Sequence, residues 1–134
     1  MNAEVPVWIV DDRAAFRRAL AATIAASAGF TVAGEAATGE AALELLTRAA
    51  SGLVLMDINM PGIGGIEATR RISGAHPGVR VLLMSTYDTS DLPDEVSQCG
   101  AAGYVHKENL SPELIATVWT RLNRWRTTGM TPPP

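Results

Sequence analysis

The feature that most constrains this chain is a set of short apolar runs, each of which stops abruptly at a polar residue. Val5 to Val10 stops at Asp11-Asp12. Leu53 to Met56 stops at Asp57, Val79 to Met84 at Ser85-Thr86, and Gly103 to Val105 close to Lys107. Thr31 to Ala36 adds one more short strand. Runs without polar alternation are strands buried on both faces, and Pro6 is tolerated near the start of the first.

The segments between them are helical. Phe16, Leu20 and Ile24 recur four apart within a helix from about Arg13 to Ala28, and Gly29 follows as its stop. Thr38 is the N-cap of a helix running to about Ala50. Asn59 to Gly65 is a Pro/Gly loop, followed by a helix from about Ile66 to Ser73. A weak helix is expected over Leu92 to Gln98, with Pro93 in its first turn. Ser111-Pro112-Glu113 starts a last helix that ends near Arg126.

Five strands alternating with five helices give an α/β fold: one doubly wound, five-stranded parallel sheet covered on both faces. The flavodoxin-like order 2-1-3-4-5 is adopted as a template and does not follow from the pattern itself. The 134 residues, 47% of them hydrophobic, fit one domain over 1–127, with 128–134 as a tail or the start of a linker. Net charge is −3 with no basic patch, so the chain alone is not expected to bind nucleic acid or a membrane. No segment reads as a signal peptide or a membrane span. The single Cys99 cannot close an internal disulfide, which suits a reduced, cytoplasmic setting.

In an open α/β sheet, ligands bind beyond the carboxyl ends of the strands at the switch point. In the template order Asp11, Asp12 and Asp57 meet there. Two unit charges about 4 Å apart repel by about 4 kcal/mol at an effective dielectric near 20, so three carboxylates require a proton or a cation. Oxygen ligands suit Mg²⁺, which binds through one or two carboxylates, waters and a phosphate. A remaining carboxylate is then a nucleophile for phosphoryl transfer, with Lys107 as a second cation and Ser85 as a hydrogen-bond donor. Taken singly, each residue has an ordinary reading. Asp11-Asp12 caps a helix, Asp57 starts a turn, Ser85 is a loop hydroxyl and Lys107 is a solvated charge. Their joint placement at strand ends favours the site.

At these residues the chain resembles the receiver domain of two-component response regulators, from Val7 to about Arg126. The resemblance is carried by Val10-Asp11-Asp12, Leu55-Met56-Asp57-Ile58-Asn59-Met60-Pro61-Gly62, Met84-Ser85-Thr86 and Gly103-Tyr104-Val105-His106-Lys107. It implies phosphorylation on Asp57, and Mg²⁺ held by Asp11 or Asp12 with Asp57 and the main-chain carbonyl of Asn59. Ser85 and Lys107 would bind the phosphoryl group, and Ser85 with Tyr104 would form the switch. A sensor histidine kinase is the implied donor, and the chain would catalyse only its own phosphorylation and dephosphorylation. Gly34-Glu35-Ala36, Gly65-Ile66-Glu67-Ala68 and Glu108 resemble the subfamily with LuxR-like DNA-binding effectors, which implies transcription regulation through an effector domain in the parent protein. Gly64 stands where that helix often has an acidic cap.

Two other active-site types fit poorly. A haloacid-dehalogenase-type phosphatase needs Asp-x-Asp-x-Thr, which Asp57-Ile58-Asn59 lacks, and Asp11-Asp12 would repel the phosphate of a flavodoxin's FMN. A degenerate receiver acting only as an interaction module would lack a key residue, and none is missing. By strand alternation His106 faces away from Lys107 and is assigned no role, and His76 is a solvated loop residue. Cys99 is read as a small buried hydrophobe. Trp119 and Trp125 join Leu114, Ile115, Val118 and Leu122 in a core stripe whose edge is a candidate homodimer or docking surface.

Overall fold

The computed structural model describes residues 4–86 and 92–128. Five strands form one parallel sheet: β1 (Val5–Val10), β2 (Phe30–Ala36), β3 (Gly52–Asp57), β4 (Val79–Ser85) and β5 (Gly103–His106). Their order is β2-β1-β3-β4-β5, as the template required. The described helices are α1 (Ala14–Ala25), α2 (Gly39–Leu45), α3 (Gly64–Ala75) and α4 (Pro112–Thr128).

The count of five helices is corrected. The segment expected as a weak helix is a 3-10 helix over Asp94–Ser97 without a side-chain cap, so four α-helices are present among the described residues. Pro93 has an extended backbone before it, and only four residues follow before the turn at Gln98. Asp, Val and Ser are weak helix formers, and so short a segment cannot offset helix nucleation.

Two of the expected caps are present: Thr38 accepts from the Ala41 amide at 3.1 Å, and Ser111 from the Leu114 amide at 3.1 Å. Helix α2 stops at Leu45, earlier than its composition suggested. Beyond it, the Thr47 hydroxyl donates to the Glu44 carbonyl at 2.7 Å, and this local bond accompanies the end of the helix. Helix α3 starts at Gly64 with no side-chain cap, and Gly64 adopts φ +81°, a conformation that favours glycine.

Strand alternation splits the interior into two layers. Val7, Ile9, Leu53, Leu55, Leu82, Met84 and Val105 pack with Leu20 and Ile24 of α1 and Ile115 of α4. Trp8, Val10, Val54, Met56, Val81 and Leu83 pack with Ala42, Leu46, Ala68 and Ile72 of α2 and α3. Buried Cys99 belongs to the second layer, and Trp119 is partly buried against the first. The side chain of Trp125 and residues 129–134 lie outside the described residues.

The register sets the height of each strand end. Val10 pairs with Met56, Asp57 with Met84, and Ser85 with His106. Asp11, Asp57, Ser85 and Lys107 therefore emerge at nearly one level along the carboxyl edge. By alternation Asp11, Asp57 and Lys107 belong to the α1/α4 side, while Ser85, Tyr104 and His106 belong to the α2/α3 side.

Candidate functional site

Asp11 and Asp57 end neighbouring strands, so their carboxylates meet without help from a loop. One oxygen from each of Asp11, Asp12 and Asp57 lies within 4.8 Å of the others. Asp11 is fully buried and Asp57 nearly so, while Asp12 is exposed at the mouth. Above them is a cleft of about 260 Å³ lined by Asp12, Arg13, Asp57, Asn59, Ser85, Thr86 and Lys107. Tyr104 stands apart on β5, half-buried against the α2/α3 layer.

The buried acids are held by specific partners. Asp11 Oδ1 accepts from the Arg13 amide at 2.8 Å, and Oδ2 accepts from Lys107 Nζ at 2.6 Å. The Asp11 carbonyl accepts from Arg17 Nη1 at 2.7 Å, and Arg17 also pairs with Glu35 at 3.4 Å. The capping reading of Asp11-Asp12 is met only in part, because the N-cap of α1 is Arg13 and no side chain caps it. Asp57 Oδ1 lies 3.4 Å from the Asn59 amide and 3.5 Å from Lys107 Nζ.

Burial pushes the Asp57 carboxyl up to about 6; Lys107 opposes that rise and the Asp11 charge adds to it. Lys107 leans more closely on Asp11 than on Asp57, and its ammonium also lies 4.5 Å from the centroid of the Phe16 ring. Three carboxylates crowd together here, and Lys107 pairs with two of them. The donors are all oxygens, and that set fits a hard divalent cation.

The structure thus gathers six of the seven sequence-predicted residues at one edge and leaves Tyr104 one layer away. Sequence reasoning passed over four others. Arg13 and Thr86 line the cleft, and each directly follows a singled-out residue, which was signal enough. Phe16 was read only as a core residue, and contact between its ring and Lys107 depends on tertiary packing. His106 is hydrogen-bonded on both ring nitrogens.

Fold and site together define a doubly wound α/β domain with an acidic, lysine-bearing pocket at the topological switch point. Residues 7–119 match the response regulator receiver domain, and the chain belongs to that family. It is 36% identical over 114 residues to the response regulator UvrY of Escherichia coli, covering 85% of this chain and 52% of that protein. It is also 36% identical over 115 residues to the transcriptional regulatory protein DegU of Brevibacillus brevis, covering 86% and 49%. A LuxR-family two-component response regulator from an Aurantimonas species superposes with a TM-score of 0.78 at 31% identity, covering 90% of this chain and 86% of that one. The chain spans about half the length of the curated relatives it matches. No helix among the described residues is long and apolar enough to cross a membrane.

Proposed function

We propose that this receiver domain takes a phosphoryl group onto Asp57 in a Mg²⁺-dependent reaction and thereby switches a protein-interaction surface. The observation that carries this reading is the convergence of the Asp11, Asp12 and Asp57 carboxylates, with Lys107 paired to Asp11 and Asp57 and Ser85 lining the cleft beside Asp57. Asp11 and Asp12, with Asp57 and the main-chain carbonyl of Asn59, would hold Mg²⁺. Bound there, Mg²⁺ supplies positive charge for phosphoryl oxygens and a template for their alignment.

The remaining chemistry belongs to the chain. The Asp57 carboxylate attacks phosphorus, an O–P bond forms, and the bond to the donor breaks. A phosphohistidine on a sensor histidine kinase leaves as imidazole; acetyl phosphate leaves as acetate. A carboxyl titrating near 6 is mostly ionised at neutral pH and remains a competent nucleophile. Lys107 faces the equatorial oxygens and the Ser85 hydroxyl donates to one of them. The chain catalyses its own phosphorylation and the hydrolysis that reverses it, and acts on no other substrate.

Inward movement of Ser85 toward the phosphoryl group opens space that Tyr104 enters, which alters the face formed by the 92–98 segment, β5 and α4. Residues 1–127 are the receiver and 128–134 a tail or the start of a linker to an effector domain in the parent protein. The likeness to DegU and to a LuxR-family regulator supports an output in transcription. The chain works in the cytoplasm, without a membrane and without nucleic acid of its own, and a homodimer through the α4 face suits such an output.

Acetyl phosphate with Mg²⁺ should add one acid-stable, base-labile phosphoryl group by mass spectrometry, and Asp57→Asn should abolish it. Equal labelling of the Asn variant would overturn the assignment.

A further inference from the structure

His106 lies between the two segments that carry the phosphoryl-binding groups. It ends β5 directly before Lys107, and its register partner is Ser85. Its Nε2 is 2.9 Å from the carbonyl oxygen of Thr86, a residue lining the cleft next to Ser85. Its Nδ1 accepts from the Glu108 amide at 3.2 Å and so caps the 3-10 turn Lys107–Asn109. An amide N–H can only donate and a carbonyl can only accept. The two partners therefore fix one neutral tautomer, with the proton on Nε2.

We propose that His106 is a positioning residue of the phosphoryl site: a clip that sets the spacing between the Ser85-Thr86 segment and the turn carrying Lys107. It touches neither the acids nor the cleft. It acts through Thr86 on one side and, through the turn that it caps, Lys107 on the other. An aliphatic residue here would pack on the sheet edge but hold neither backbone group. The inference rests on the proposed phosphoryl-acceptor function and adds to it how the hydroxyl side and the ammonium side of the site are kept in register.

Two conservative variants separate the two bonds. His106→Asn places an oxygen near the Nδ1 position and keeps the cap but not the reach to Thr86. His106→Gln places an N–H near Nε2 and keeps the clip but not the cap. The measurement is the affinity of the Mg²⁺-loaded chain for beryllofluoride, followed by NMR, with thermal unfolding as the folding control. His106→Asn and His106→Leu should weaken binding by about fivefold, the loss of one net hydrogen bond, and His106→Gln should stay close to wild type. Asn and Leu variants that bind as wild type does, or a Gln variant as weak as Leu, would overturn the clip. Independently, the imidazole nitrogens of wild type should show the Nε2–H tautomer alone, and a tautomer mixture would also overturn it. A wild-type chain that takes up no beryllofluoride, yet shows that single tautomer, would instead refute the phosphoryl-acceptor reading.

Discussion

Replacing Asp57 by Asn should make the metal-free protein more stable at neutral pH while abolishing phosphoryl acceptance. Asp57 is almost wholly buried, and its carboxyl is raised from 3.8 to about 6, mainly by burial. An acid whose folded pKa exceeds its unfolded value binds its proton more tightly in the native state. Stability therefore falls as pH rises from about 4 to about 6, and the penalty is complete above that. The full shift corresponds to about 3 kcal/mol at 1.36 kcal/mol per pH unit. The cleft above Asp57 is open to water, which screens the charge, so about half of that is expected to remain. Asn keeps the shape and removes the charge, giving a gain of about 1.5 kcal/mol at pH 7.5 and almost none at pH 4. Urea unfolding at both values in the presence of a chelator measures it. No gain at pH 7.5, or the same gain at pH 4, would refute the reasoning. Mg²⁺ should narrow the difference, because it compensates the charge that Asn removes.

Three further outcomes are expected. The Asp11→Asn, Asp12→Asn double variant should bind Mg²⁺ at least about tenfold more weakly by calorimetry and accept phosphoryl more slowly, since the cation loses two of its carboxylates; unchanged affinity would remove both residues from the metal site. Gly65→Ala should destabilise the fold by about 2 kcal/mol in chemical unfolding, because the added Cβ would meet the backbone carbonyl of Asp57, which cannot swing aside; wild-type stability would show that the α3 start gives way freely. Beryllofluoride should shift NMR signals at Tyr104 as well as around Asp57, and shifts confined to the pocket would contradict the coupling of Ser85 to Tyr104.

The parallel sheet was legible in the sequence as apolar runs that stop at Asp11, Asp57, Ser85 and near Lys107, but the strand order that brings those stops together came from a template and not from the pattern. The 92–98 segment was misread because periodicity over so few residues does not separate a 3-10 turn from an α-helix, and Pro93 is compatible with either. Phe16 showed its helical spacing but not that its ring faces an ammonium, since that contact joins α1 to the far edge of the sheet. The alternation argument put His106 on the opposite side from Lys107, whose ammonium lies over Phe16 in the α1/α4 layer. Alternation along the strand says nothing of the backbone groups that the ring reaches, the Thr86 carbonyl and the Glu108 amide.

The division of the interior by strand parity has a consequence for how such a chain can diversify. The charged half of the site, Asp11, Asp57 and Lys107, is rooted in the α1/α4 packing, whereas Ser85 and Tyr104 are rooted in the α2/α3 packing. The sheet is a partition between two independent repacking problems that share a border only at the carboxyl edge. Substitutions in the layer behind Tyr104 can therefore be absorbed there without disturbing the packing that seats Asp11, Asp57 and Lys107.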